Sequence, residues 1–303
     1  MQRRDFFRKS AMLGATSTLS RLTEGLKFGN NPKPSNVIGT FAVNADAIPV
    51  AFVISDGAVV IDFCGPWEVF QDAHVQGRKG PAFNLYTVAE SLQPVLASAG
   101  MRIVPDYNFE NALSPKVIVI PAQRGQSEAM LNWIRNASRK ADLTMSVCIG
   151  ANVLAATGLL SGRPATTHHN SYGLFAMKNP NIHIKRGVRF VDDGDVASAG
   201  GLSSGIDLAL HVVKRYFGQD AAAQTAYYIE YLGEGWKNPD ANHMYKKISE
   251  STPEHPRCAV CSMEVDSASA PKIVIKGKEY YFCSQEHKAA FEHSPQTFVG
   301  DNL

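Results

Sequence analysis

Residues 143–169 read LTMSVCIGANVLAATGLLSGRPATTHH. The opening LTMSV is a short apolar run of the kind that forms a strand buried on both faces of a sheet. The segment GANVLAA that starts at Gly150 reads as a helix. Cys148 stands between the two, so its thiol projects from a sharp strand-to-helix turn toward a helix N-terminus, whose positive end favours a thiolate. Gly150 removes a side chain where such a turn is tight. This is the cysteine counterpart of the hydrolase nucleophile elbow. On spacing alone, Cys148 is either a nucleophile or a small buried core thiol.

Working outward, residues 50–54 (VAFVI) and 117–120 (VIVI) are further strand-like runs, each closed by a turn signal or a proline. Residues 84–88 and 102–104 predict additional strands. Between the second and third runs, Met130, Trp133, Ile134 and Ala137 share one helical face within 127–140. Ile206, Leu210, Val213 and Phe217 repeat at helical spacing after Gly205, and Gly218 is expected to close that helix. Strands alternating with helices predict an α/β sandwich over residues 45–236, with a mainly parallel sheet. Residues 237–253 are polar and read as a connector, and 254–300 form a second, small module.

The 303 residues accommodate two domains. The 30 Lys and Arg against 28 Asp and Glu leave a formal charge of +2, too small a surplus to neutralise phosphates, so nucleic acid is not an expected partner. The sequence has no apolar run long enough for a transmembrane helix. Residues 1–40 read as an export signal and linker. RRDFFRKS at 3–10 precedes a short, weakly apolar stretch, and KFGNNPKPS at 27–35 is polar and proline-rich. The pair Arg3-Arg4 resembles a bacterial twin-arginine signal, which implies a periplasmic protein.

Three segments, VCIGANVLAATGLLSGRPATTHH at 147–169, ISDGAVVIDFCGPWEVF at 54–70 and VASAGGLSSGIDLALHVV at 196–213, together resemble the ThiJ/PfpI superfamily. Its fold is class I glutamine amidotransferase-like, so the resemblance implies a three-layer, flavodoxin-like sandwich and a homodimer. Within the superfamily these residues are similar to the isonitrile hydratase branch and to the amidotransferase-like half of some AraC-type regulators. Cys148 then matches the nucleophile, and Asp62 the acidic residue of the D-x-x-G-P motif, placed beside the thiol to hold or shuttle a proton. Without the resemblance, Asp62 reads as a helix cap. Gly65 and the amides after Cys148 are candidate oxyanion donors. Ile149 stands where relatives carry His or Thr, which removes a neighbouring base. His168 matches the His of the T-T-H segment, as a catalytic or a structural histidine. Cys64 falls two residues after Asp62, so in an extended segment both would point the same way; it is either a resolving thiol for Cys148 or, as its size favours, a core filler. The resemblance implies no cofactor in this domain.

Three of the five cysteines fall at or beyond residue 258. RCAVCSMEV, KIVIKGKEYYF and CSQEHKAAFEHSPQTFV place Cys258, Cys261, Cys283 and His287 in a C-x2-C-x21-C-x3-H spacing. Two residues between thiols let both reach one ion, and three between Cys283 and His287 suit one helix face. A module this short cannot bury a large core, so one metal ion, zinc or copper, is the expected staple. The tail resembles the YHS/TRASH modules, with His287 in place of a third cysteine. Met263 is a candidate soft ligand, and His255 and His293 are spare candidates. The resulting reading is an exported protein that uses Cys148 to hydrate or hydrolyse a small carbon–nitrogen substrate, coupled to a metal-binding module. The rival is a non-enzymatic periplasmic metal-binding or stress-sensing protein with the α/β domain as scaffold.

Overall fold

A computed structural model describes residues 39–42, 46–246, 251–252 and 254–299. The arginine pair and the apolar stretch expected to direct export lie outside the described residues. Seven strands form one sheet: β1 (Ile48–Val53), β2 (Phe83–Ala89), β3 (Tyr107–Asn108), β4 (Val117–Ile120), β5 (Leu143–Val147), β6 (Phe190–Asp192) and β7 (Val196–Ala199). Their order is β6-β7-β5-β4-β1-β2-β3, and every pairing is parallel except β6 with β7. β4 and β5 are buried along their whole length. That burial is why they read as continuous apolar runs rather than alternating ones.

Strand alternation divides the side chains between two cores. Val50 and Phe52 of β1 enter one cluster with Phe63, Val69 and Phe70 of helix α1 (Val60–Gln71) and Leu208, Val212 and Val213 of α5 (Ser204–Tyr228). Ala51 and Val53 enter the other, with Met130 and Ile134 of α2 (Glu128–Ser138), Leu154 of α3 (Ala151–Ala156) and Phe175 of α4 (Tyr172–Lys178). The result is the expected three-layer α/β sandwich. Each large apolar side chain so buried contributes roughly 1.5–3 kcal/mol. The α2 start is the one its sequence marks, since Ser127 caps the helix by accepting the Met130 N–H at 3.2 Å.

Two expectations change, and the connector gains a structure its polar sequence does not specify. Gly218 (φ 87°, ψ 171°) breaks α5, but helix resumes beyond it to Tyr228, because a glycine there permits a sharp offset between two packed segments. Arg102–Ile103 pairs with Val95–Leu96 in a separate ribbon instead of joining the sheet. The connector is not a free tether. Residues Pro239–Tyr245 form a 3-10 turn, the Arg189 N–H donates to the Pro239 carbonyl at 2.6 Å, and Asn242 is buried.

The C-terminal module is a hairpin, β8 (Lys272–Ile275) with β9 (Lys278–Tyr281), followed by α6 (Gln285–His293) and α7 (Pro295–Val299). Lys276 and Gly277 both have positive φ, as a two-residue hairpin turn requires. Val260, Tyr280, Phe282, Phe291 and Phe298 make its small core. The module is seated on α4. A Cβ on Gly173 would lie 1.8 Å from the Val260 carbonyl oxygen, so only glycine allows the two backbones to meet. The Arg186 guanidinium donates to the carbonyls of Thr297 and Phe298 at the end of α7. Among the described residues no helix is long and apolar enough to cross a membrane.

Candidate active site and metal centre

Cys148, Asp62, Ala122 and Leu202 lie at or just beyond the C-terminal ends of β5, β1, β4 and β7, four neighbouring strands. That edge of an open parallel sheet is where ligands bind in α/β folds. Cys148 has φ 59°, a left-handed conformation that costs a non-glycine residue roughly 1–3 kcal/mol. The surroundings hold it there. Its N–H donates to the Gly200 carbonyl at 2.9 Å, and the Cys148 carbonyl accepts the Thr167 hydroxyl at 3.0 Å. Gly150 faces the Ile120 and Pro121 carbonyls so closely that a Cβ would come within 2.3 Å of the first. The elbow read from the sequence is therefore present, as the 3-10 turn Cys148–Gly150 leading into α3.

The thiol is nearly buried, at 7% exposure. Its sulfur receives the backbone N–H groups of Ile149 and Leu202. Asp62, in the first turn of α1, is fully buried. Its Oδ2 accepts the Ala122 N–H at 3.0 Å, while Oδ1 makes no regular hydrogen bond and is the oxygen left for the thiol. Burial pushes the Asp62 carboxyl up to about 6, with the Ala122 N–H and the Cys148 thiol pulling the other way. Burial also pushes the Cys148 thiol up to about 11, reinforced by the Asp62 carboxylate and opposed by the Ile149 and Leu202 amides. The helix N-terminus was expected to favour a thiolate. It is outweighed, because the short α3 competes with both burial and an adjacent anion. Asp62 thus stays the stronger acid of the two, so when the pair holds a single proton it sits on sulfur.

Other expectations divide. Gly65 lies in the sixth position of α1, where its amide is committed to the helix ladder; it cannot be an oxyanion donor. Its small size instead admits Ile206 of α5, 3.0 Å from where a Cβ would stand. Cys64 was placed with Asp62 on the assumption of extended backbone. In a helix, residues two apart point to nearly opposite sides, and Cys64 packs at the edge of the core. Ile149 serves through its amide, and its side chain is partly exposed. His168 packs against Gly201, next to Leu202, and its ring nitrogen Nδ1 accepts the Asn170 N–H at 3.3 Å. Burial holds His168 below the usual histidine range, so at neutral pH it is uncharged. Its ring packs at a tilt against His169, which packs in turn at a tilt against Tyr245 of the connector. Ala122, Thr167 and Leu202 were missed as site residues. Their contributions are two amides and a hydroxyl bonded to backbone, which leave no mark in side-chain motifs.

The ligating atoms of Cys258, Cys261, Cys283 and His287 lie within 4.8 Å of one another. Cys261 Sγ and Cys283 Sγ are 3.6 Å apart, and His287 Nδ1 is 3.4 Å from Cys258 Sγ and 3.2 Å from Cys283 Sγ. A tetrahedral zinc with ordinary bond lengths needs edges of about 3.8 Å between sulfurs and about 3.6 Å between sulfur and nitrogen. The donor set therefore fits a metal ion. Ser262 has φ 60°, which turns the chain so that the Met263 N–H reaches Cys261 Sγ. Met263 meets the cluster through that amide, and its side chain is exposed. Cys283 precedes α6 rather than sharing a helical face with His287; Ser284 caps the helix between them by accepting the His287 N–H at 3.2 Å. His255 and His293 are not part of the cluster.

Residues 49–215 match the family model described as DJ-1/PfpI family, and residues 259–302 match the YHS domain. The chain is 31% identical over 190 residues to an isonitrile hydratase of Pseudomonas putida, covering 61% of this chain and 79% of that protein. It is 31% identical over 137 residues to a helix-turn-helix-type transcriptional regulator of Pseudomonas aeruginosa, covering 44% of this chain and 40% of the regulator. Among solved structures, a ThiJ/PfpI family protein from Pseudomonas syringae superposes with a TM-score of 0.55 at 26% identity. That match covers 62% of this chain and 76% of the other.

The buried carboxyl has a consequence for stability. Its folded value, about 6, lies above the ordinary 3.8, so folding favours the protonated form. The contribution is fully present below pH 3.8 and is lost as the pH rises through about 6. Asp62→Asn keeps an acceptor for the Ala122 N–H but cannot ionise. In urea unfolding, the variant's stability relative to the parent should rise between pH 4 and pH 7, by about 3 kcal/mol at most, and then stay level. A difference independent of pH would contradict the placement of a burial-raised carboxyl at this site.

Proposed function

The chain belongs to the DJ-1/PfpI family across residues 49–215, and from that premise we propose that its α/β domain is a cysteine-dependent hydratase or hydrolase of a small carbon–nitrogen compound, isonitrile hydratase-like. The observation that carries this reading is the fully buried Asp62 carboxylate paired with the Cys148 thiol, with two amides directed at the sulfur. Among the described residues, Asp62 is the side-chain partner this arrangement offers for the thiol proton. As sulfur attacks the terminal carbon of an isonitrile, Asp62 takes the thiol proton and delivers it to that carbon, giving a thioimidate on Cys148. Water then adds to the same carbon, the nitrogen gains a proton, and the carbon–sulfur bond breaks. The products are the N-substituted formamide and the free thiol. The amides of Ile149 and Leu202 stabilise the sulfur while it carries charge.

The test is a turnover screen over isonitriles, amides and aldehydes, with formamide detected as the isonitrile product. Cys148→Ala should abolish turnover. Asp62→Asn should lower kcat/KM by about 10²–10⁴. The parent's kcat/KM should rise with pH through about 6, because below that value Asp62 is protonated and cannot accept the thiol proton. Full activity of Cys148→Ala, or no acid limb near 6, would sink the mechanism.

A second reading draws on the nearly buried, protonated thiol: a periplasmic metal-binding or stress-sensing protein with no turnover. An absence of turnover across the screen selects it. In either reading the C-terminal module holds one metal ion, zinc or copper, through Cys258, Cys261, Cys283 and His287. Three thiolates and one imidazole at near-tetrahedral spacing support zinc, and the soft thiolates also suit copper(I). Elemental analysis of the purified chain should give one such ion per chain, and Cys261→Ala should release it. Export through the twin-arginine route and a homodimeric state belong to the same proposal. The first rests on Arg3-Arg4 ahead of Phe6-Phe7. Replacing both arginines with Lys should trap the precursor in the cytoplasm; unchanged periplasmic delivery would refute it.

A further inference from the structure

The two halves of the Cys148 backbone are held by two different segments. Its N–H donates to Gly200, in the loop after β7, and its carbonyl accepts the hydroxyl of Thr167. Thr167 is fully buried. It leads directly into a tight turn in which the Ser171 N–H donates to the His168 carbonyl at 2.8 Å, and that turn runs on into α4 without a break. His168 within the turn packs on Gly201, so the two segments that grip Cys148 also touch each other.

α4 is itself clamped by the metal module at two points. Gly173 meets the carbonyl of Val260, a residue between the ligands Cys258 and Cys261. Arg186, which donates to the Thr297 and Phe298 carbonyls, stacks over the Tyr172 ring at 5.4 Å, and the Tyr172 hydroxyl accepts the Gly187 N–H at 3.1 Å. Both anchors fall in the first turn of α4, six residues or fewer from Thr167. The Val260 contact involves backbone on both sides and has no side-chain freedom with which to absorb a shift. A conformation as unfavourable as φ 59° at Cys148 persists only while its neighbours hold it.

We propose that Thr167 is a positioning residue for Cys148, and that the metal-stapled module, seated on the first turn of α4, keeps it in place, so that loading the Cys258, Cys261, Cys283 and His287 cluster sets the reactivity of the thiol. Removing the metal lets the turn between Cys258 and Cys261 relax and frees the Val260 carbonyl from Gly173. α4 and the Thr167 segment then loosen, the elbow relaxes from positive φ, and the sulfur leaves its buried place between the Ile149 and Leu202 amides and the Asp62 carboxylate. The inference rests on the reading of Cys148 as the reactive thiol but not on any particular substrate.

The test measures alkylation of Cys148 by iodoacetamide against pH in the full chain, by peptide mapping, with Cys64 as internal reference. Zinc-loaded protein is compared with the same protein after a zinc chelator. Chelation should raise the Cys148 rate at pH 8 at least threefold, because the sulfur leaves the burial and the carboxylate that suppress its thiolate, and leave the Cys64 rate unchanged. In zinc-loaded protein, Thr167→Val should reproduce that rise, Thr167→Ser should restore the parent rate, and Gly173→Ala should behave as chelated protein does. Equal Cys148 rates with and without zinc would overturn the proposal. So would faster labelling of Cys148 and Cys64 together, which would report general loosening. A failed substrate screen alongside the predicted alkylation pattern would remove the hydratase reading and leave this one standing. A Cys148 that is never alkylated while Cys64 reacts would remove both.

Discussion

Cys148 is held at φ 59°, and almost every feature around the site serves to keep it there. Gly150 lets the turn press against the carbonyls that end β4. Gly200 and Thr167 fix the two sides of the Cys148 peptide. The parallel sheet brings the ends of four neighbouring strands to one edge, so that Asp62, Ala122, Cys148 and Leu202 converge although they are far apart in sequence. Relaxing the backbone at this one residue would separate the sulfur from both amides and from its carboxyl partner. The strain of roughly 1–3 kcal/mol is carried by two hydrophobic cores that are large enough to bear it.

The electrostatics of the pair follow from the same geometry. Burial disfavours charge on either group, but the carboxyl is by nature the stronger acid, ordinarily 3.8 against 9.0 for the thiol, and it keeps that lead in the site. Charge therefore settles on Asp62 and the proton on sulfur. This makes Asp62 a base waiting for an electrophile rather than a spectator that orients a preformed thiolate. It also makes the site a cost to stability at neutral pH, as is common where a buried group is kept for chemistry.

Much of this was legible in the sequence, and the parts that were not share a cause. β4 and β5 announce themselves as apolar runs because both faces of the sheet are covered. The Cys–Gly spacing of the elbow and the C-x2-C-x21-C-x3-H ligands are local, and local spacing survives in sequence. The misreadings arose where helix extent decides direction. A place for Cys64 beside Asp62 needs residues 62–64 extended, and an oxyanion role for Gly65 needs a free amide; α1 begins at Val60 and removes both. Thr167, Ala122 and Leu202 act through bonds to or from backbone, which depend on the approach of distant segments and not on residue type. The docking of the module was equally invisible, since its tightest contact is a glycine against a carbonyl.

The module and the α/β domain are thus joined at α4, which begins five residues after Thr167, whose hydroxyl donates to the Cys148 carbonyl. The account stands or falls on where the proton of the Asp62–Cys148 pair resides. A titration of thiolate absorbance near 240 nm, taken as the difference between the parent protein and Cys148→Ala, reads this directly. The account predicts no Cys148 thiolate at pH 7 and a rise only as the pH approaches about 11. A full thiolate signal at pH 7, with the proton on Asp62 instead, would contradict it.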